Sequence, residues 1–234
     1  MIEIRSLKGH AEYAEAVRLQ RVIWGFEDVD LLPVRFFVVA ASIGGQTLGA
    51  FHGSRTVGFC LAIPALKLGG KGYLHSHMLG VLKEYRDAGA GRLLKLAQRE
   101  EALSRGIDLI EWTFDPLEIK NAYFNIEKLG AVVRRFVLNQ YGITSSPLQA
   151  GLPTDRCIAE WHLNRERKSE PVCARISVPA DMARIKQAEP RRAREIQEQV
   201  AEQFLRHFAN NLAVTGFERT PESGTYLLSP WPSK

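Results

Sequence analysis

The sequence predicts a mixed α/β chain: a largely antiparallel central sheet flanked by helices, followed by a C-terminal lobe of strands, one long helix and a hairpin. Three observations carry this prediction. The first 145 residues alternate strand-like and helical patterns in the order β-α-α-β-β-β-α-β-α-β. Two of those strands are joined by a tight turn, so they pair antiparallel, and they lead into a strand-helix-strand unit that needs a parallel neighbour. The segment GITSSPLQAGLPTD, rich in Gly, Pro and Ser, then separates this series from a different one.

The elements follow in order. Ile2 and Ile4 alternate with polar neighbours and predict a short first strand. Tyr13, Ala16, Val17, Ile23 and Trp24 fall on one helical face with charges between them. Pro33 opens a second helix through Val34 to Ala41, and Gly44-Gly45 close it. QTLGAFHGSRTVGFCLAIPAL reads as two strands that turn at His52-Gly53-Ser54-Arg55. A loop from Leu66 to Gly72 precedes a strand over Tyr73–Leu82. A helix over Leu93–Arg105 presents Leu93, Leu96, Ala97 and Leu103 as its inner face, with Gly106 as its stop. IDLIEWTF is a strand broken by Pro116. EIKNAYFNIEKLG is a shorter helix ended by Gly130, and AVVRRFVLNQYG a further strand. Beyond the boundary come strands CIAEWHL and ARISVP, then a helix from about Pro190 to Asn210 with Ile196, Val200, Phe204 and Phe208 at fourfold spacing, and a terminal hairpin. This divides the chain into residues 1–145 and an extension, 146–234, that reads as a partial second lobe.

The totals exclude several classes. The chain has 234 residues, enough to bury a sizeable core. A net charge of +5 is a modest excess that suits an anionic ligand as well as a mixed solvated surface. The charge-dense segments NRERKSEP and KQAEPRRARE read as solvated loops and helix starts, and acids interleave with the arginines, so no nucleic-acid partner is expected. Cys60, Cys157 and Cys173 are far apart and have no zinc-ligand spacing, so buried, reduced thiols and no metal are expected. The N-terminus carries acids early and does not read as a signal peptide. No run approaches a membrane span, and a cytoplasmic chain without a membrane partner is expected.

One stretch carries chemistry. In YLHSHMLGVLKEYRDAGAGRLL a strand runs into a glycine turn and then a helix. The first amides of a helix lack internal partners and bear partial positive charge. A glycine-rich entry clears side chains from the path of an anion. Gly89 and Gly91 are where the missing Cβ matters most, with Asp87, Ala88 and Ala90 between and around them, and Arg86 and Arg92 add positive charge. The pattern points to a phosphate or pyrophosphate. A packing turn is the competing reading. The dinucleotide fingerprint fits poorly, since Leu94 stands where its third glycine would be.

VLKEYRDAGAG resembles motif A of the GNAT superfamily of acyl-CoA-dependent acyltransferases, whose core is Arg/Gln-x-x-Gly-x-Gly/Ala. Arg86, Gly89 and Gly91 fill its three positions. Leu79-Gly80-Val81 resembles that family's central strand, and NAYFNIEKLGA resembles the end of its motif B, with Ala122 and Gly130 in register. The resemblance covers about the first three-fifths of the chain. It implies binding of acetyl-CoA or another acyl-CoA, such as succinyl-CoA. The amides of residues 87 to 92 would hold the pyrophosphate. The backbone of Leu79 and Val81 would pair with pantetheine between the strands Tyr73–Leu82 and Ile107–Phe114. Asn121 and Asn125, on one helical face, would bond coenzyme A amides, and Phe124 would pack on the pantetheine or in the core. The implied reaction is acyl transfer to the amine of a small molecule, such as an amino acid. A catalytically silent acyl-CoA-binding module is the alternative, and a homodimer through the terminal strands is one possible assembly.

An attacking amine must be neutral, and the leaving thiolate needs a proton. Strand alternation puts His75 and His77 on the face of Leu79 and Val81. His75 falls where some GNAT enzymes carry a glutamate base. The pair serves as base or as ordinary polar strand residues. Glu111 interrupts an apolar strand and reads as a second base, an ammonium anchor or a solvent-facing rim residue. The family's usual acid, a tyrosine four residues before the motif B glycine, is replaced by Ile126; either Tyr123 one turn earlier substitutes, or the thiolate leaves with help from water, backbone amides or Asn125.

Overall fold

A computed structural model describes residues 1–142, 144–165 and 170–231. The NRERKSEP segment and one position of the interlobe loop therefore lie partly outside the described residues. The chain divides into two compact units, Met1–Glu111 and Trp112–Lys234.

The first unit holds strands β1 (Ile2–Ser6), β2 (Gln46–His52), β3 (Arg55–Leu66) and β4 (Gly72–Val81), and the start of β5 (Leu109–Phe114). Their order is β1-β2-β3-β4-β5; the first four pair antiparallel, and β5 runs parallel to β4. Helices α1 (Gly9–Trp24) and α2 (Val34–Ser42) cover one face and α3 (Ala90–Ser104) the other. Successive residues of β3 show this division: Phe59 meets Trp24 and Phe37 at ring distances of 5.9 Å, whereas Cys60 meets Gln98 of α3. The mixed, mainly antiparallel sheet flanked by helices is the architecture the sequence predicts.

The face of α3 differs from expectation. Its buried residues are Ala90, Leu94, Lys95, Gln98 and Ala102, while Leu93 is exposed. A hydrophobic pattern misses this face because two of its five members are polar. They tolerate burial because they bond each other and the sheet: Lys95 Nζ donates to Ser76 Oγ (2.8 Å) and Gln98 Oε1 (2.9 Å), and Gln98 Nε2 donates to Cys60 Sγ (3.2 Å). The helix also starts three residues before Leu93, because Gly89 adopts φ 79° as its N-cap.

The second unit holds β6 (Val132–Val137), β7 (Arg156–His162), β8 (Ala174–Pro179), β9 (Leu212–Arg219) and β10 (Ser223–Pro230), in the order β7-β6-β9-β10-β8. Short helix α4 (Ile119–Tyr123) continues into a single wide π turn over Phe124–Lys128. Helices α5 (Met182–Ala188) and α6 (Pro190–Ala209) complete the unit. The sequence pattern missed α5, a short, charge-rich segment whose only deep anchors are Met182, Ile185 and the buried Lys186. Lys186 is held by Asp115 (3.0 Å) and Glu118 (3.4 Å). Phe204 of α6 stacks on Phe136 and meets Tyr226, which meets Phe217; of the fourfold apolar stripe, Val200 and Phe204 are core, whereas Ile196 and Phe208 are half-buried at its ends. Tyr226 is fully buried, and its hydroxyl donates to the Pro116 carbonyl at 2.7 Å.

Cys60 and Cys157 are buried and reduced; Cys173 is also reduced but lies exposed, contrary to expectation. Among the described residues, no helix is long and apolar enough to cross a membrane, and no group of three potential metal ligands occurs.

Candidate functional site

The candidate site of the first unit is built around β4. Its pairing with β3 is interrupted: Ala62 opposes Ser76 and Leu61 opposes Met78, leaving His77 as an extra, bulged residue. The bulge reverses the alternation beyond it. Residues facing each other across a ladder share a face, so Leu79, opposite Cys60, joins Ser76 on the α3 side. His75 and His77 lie on the other side, where His77 approaches Phe36 of α2 and His75, with ring distances of 6.3 and 5.8 Å. The expected sharing of one face by the histidines with Leu79 and Val81 is thus wrong, because period-2 counting cannot see an inserted residue.

β5 lines β4 at only two positions, Leu74↔Ile110 and His75↔Glu111. Within this unit, the edge of β4 from Ser76 to Val81 carries no second strand. That edge ends at the glycine turn. Arg86 is exposed, and its Nε donates to the Val81 carbonyl at 3.1 Å, so one acceptor of that backbone is already engaged. Asp87, Ala88 and Arg92 are exposed, while Gly89 and Gly91 are half-buried and Ala90 is buried. The amide of Leu93 bonds Gly89, the first α3 bond; among the described residues, no well-formed backbone hydrogen bond is given by the amides of residues 87 to 92. A Cβ on Gly91 would touch only Val81, at 3.8 Å, and one on Gly89 would meet nothing. Packing does not demand glycine at either place; the positive φ demands it at Gly89 alone. Gly80 is different, since a Cβ there would lie 2.7 Å from Trp24 and 2.9 Å from Ile23. Its small size serves the seat of α1.

Pairing with Glu111 puts His75 on the same face as that carboxylate. Glu111 is 3% exposed and ion-paired to Lys67, so the solvent-facing reading is overturned. Lys67 stands at the base of the β3–β4 loop, its amide bonded to the Lys71 carbonyl and its carbonyl to the Gly70 amide. Its ammonium also lies 4.6 Å from the centre of the Tyr73 ring. Burial, then the neighbouring His77, pushes the His75 pKa down to about 4 against the pull of Glu111; burial also lowers that of His77. Both imidazoles are neutral at neutral pH. On the α3 face, burial lowers the pKa of Lys95 to about 8. Neither Lys67 nor Lys95 was marked by the sequence: one lies in a loop, the other on a helix face that reads as polar.

The remaining candidates belong to the second unit. Asn125 is buried and donates to Asn121, which is exposed, at 3.2 Å. Phe124 and Tyr123 are half-buried, and the Tyr123 ring is approached by Lys128 and Arg219 at 5.2 and 5.3 Å. Ile126, in the place of the family's acid, is completely buried. The basic segments are paired internally. Arg134 and Arg135 both reach the buried Glu160, because a bulge at Arg134 turns two adjacent side chains to one face. Arg192 and Arg194 pair with Glu189 and Glu198.

No family model and no curated protein matches the chain. Solved structures do. The ribosomal-protein-S18-alanine N-acetyltransferase of Escherichia coli is 16% identical and superposes with a TM-score of 0.55 over 73% of this chain and 99% of its own. Arabidopsis thaliana NAA60, solved with acetyl-CoA, is 14% identical, with a TM-score of 0.56 over 69% of this chain and 99% of its own. An acetyltransferase of the GNAT family from Streptococcus pneumoniae is 21% identical, with a TM-score of 0.53 over 68% and 98%. At such identities the likeness is one of fold: this chain has the fold of the GNAT acetyltransferases and is longer than the domains it resembles.

Proposed function

We propose that the chain is an acyl-CoA-dependent N-acyltransferase that moves an acetyl or other short acyl group, such as succinyl, to the amine of a small molecule, an amino acid among the candidates. The observation that carries this is the unpaired edge of β4 ending at a glycine turn whose amides, residues 87 to 92, give no well-formed backbone hydrogen bond among the described residues. An extended pantetheine arm matches the first feature and a pyrophosphate the second. A structure of the same fold, NAA60, was solved with acetyl-CoA. We assign the acyl-CoA role to residues 1–145 and treat 146–234 as an extension.

The side chains divide the chemistry. Glu111 is suited to anchoring an acceptor's ammonium. With its pKa near 4, His75 is a poor base for an alkylammonium; that transfer would be uphill by about 9 kcal/mol. His75 is suited instead to taking the proton once the new C–N bond has made the nitrogen acidic. His77, neutral and one bulge away, adds a second acceptor. Tyr123 is the proposed acid, and Asn121, Phe124 and Asn125 the proposed further contacts of coenzyme A.

One observation favours a second reading, acyl-CoA binding without turnover: Ile126 is sealed in the core where the family carries its tyrosine. Two experiments decide. Coenzyme A at millimolar concentration raises the melting temperature through linkage, and no shift refutes both readings. Acyl-CoA turnover with pooled amines, read by mass spectrometry, separates transferase from binding module.

A further inference from the structure

We propose that Lys67 is a self-acylation site: the chain transfers an acyl group from its own acyl-CoA to the Lys67 side-chain nitrogen. The inference rests on the acyl-CoA reading and goes beyond it, because it names an acceptor within the chain.

Glu111 is the buried carboxylate best suited to anchor an acceptor's ammonium, and an ammonium is already there. The Lys67 Nζ donates to Glu111 Oε1 and sits over the Tyr73 ring. Carboxylate and aromatic face together form a primary-ammonium site, and the chain's own lysine fills it. Its position is set by backbone, since Lys67 is bonded at both its amide and its carbonyl within the turn joining β3 to β4. Glu111 and His75 form the last cross-strand pair before the β4 edge opens, so a thioester at the start of that edge would adjoin them. Lys71 provides an internal contrast. It belongs to the same loop and is also ion-paired, to Asp108, but its side chain is 63% exposed against 31% for Lys67.

The step balances without a further reactant. Lys67 gives up one proton to solvent and becomes a neutral amine, while Glu111 holds the nitrogen in place. Its nitrogen bonds the thioester carbonyl carbon, and the C–S bond breaks. The nitrogen's second proton passes to His75 and on to the departing thiolate. The products are an Nε-acyl-lysine, coenzyme A as the free thiol, and one proton.

The test follows acetylation of the purified chain by acetyl-CoA with peptide-resolved mass spectrometry. Reaction of a held amine should label Lys67 at least about tenfold faster than Lys71, at a rate per chain independent of protein concentration. In the urea-unfolded chain the two lysines should label equally. Lys67→Arg should remove the fast mass increment, and Glu111→Gln, with folding checked by circular dichroism, should slow Lys67 without slowing Lys71. Labelling of Lys67 at or below the rate of Lys71 overturns the proposal. If a coenzyme A melting shift and turnover of pooled amines persist in that case, the acyl-CoA reading stands and self-acylation alone fails. If the melting shift is also absent, both fail.

Discussion

Lys95 lets the buried network beneath α3 be weighed by titration. The residue is 1% exposed, its ammonium rests on Ser76 and Gln98, and its pKa falls from 10.5 to about 8 because burial disfavours the charge. Between those two values the unfolded chain holds a proton that the folded chain has lost, so stability rises with pH there. Below the folded value the penalty is complete, about 3 kcal/mol at pH 7, and about 1 kcal/mol remains at pH 10. Lys95→Met removes the titration while keeping most of the stem's packing, at the cost of leaving two polar partners unmet. That cost is the same at every pH, so the difference between the proteins isolates the lysine. Urea unfolding followed by circular dichroism at pH 7 and pH 10 should show the wild type gaining about 2 kcal/mol on the variant over this span. A wild type–variant difference constant to within about 0.5 kcal/mol would refute the reasoning, by showing that the network holds the ammonium as well as water does.

Gly91→Val should abolish the coenzyme A melting shift while changing the stability of the free chain by less than about 1 kcal/mol, since a Cβ there meets only Val81. Gly80→Val should cost at least about 2 kcal/mol in urea unfolding, because its Cβ would lie inside contact distance of Trp24 and Ile23. Glu160→Gln tests the second unit. Burial works against the carboxylate's charge, but His162, Arg134 and Arg135 outweigh it and bring its pKa down to about 2. A lowered carboxylate pKa stabilises above the ordinary value of 4.5 and loses that contribution as pH falls toward 2. The variant should be about 1–2 kcal/mol less stable at pH 7, a figure reduced for the partly exposed arginines, and the gap should narrow by pH 3.

The elements were legible where pattern and punctuation agreed. Pro33 and Gly44-Gly45 bracket α2, the His52-Gly53-Ser54-Arg55 turn marks the β2–β3 hairpin, and the middle of the fourfold stripe of α6, Val200 and Phe204, is core. The site was legible at the level of the backbone, since the glycine turn and the amides of residues 87 to 92 follow from a strand entering a helix. It was illegible where one residue changes phase. Nothing local to HSHML announces that His77 is extra, so the partners of Leu79 were misassigned. The depth of Lys95 and Gln98 was hidden for a different reason: their burial depends on Ser76 and Cys60, far away in sequence. The pairing of Lys67 with Glu111 likewise joins a loop to a strand 44 residues on.

The bulge at His77 has a consequence for how such a chain can change over time. A strand with unbroken alternation would put the two histidines and Leu79 on one face, under the same helices. Here the surplus residue turns His75 and His77 toward α2 and Leu79 toward α3. Both halves of the strand still touch both layers, since Ser76 bonds Lys95 of α3 and Gly80 seats α1. On the proposed reading, a substitution in α2 at Phe36 can retune the surroundings of His77 without touching Leu79.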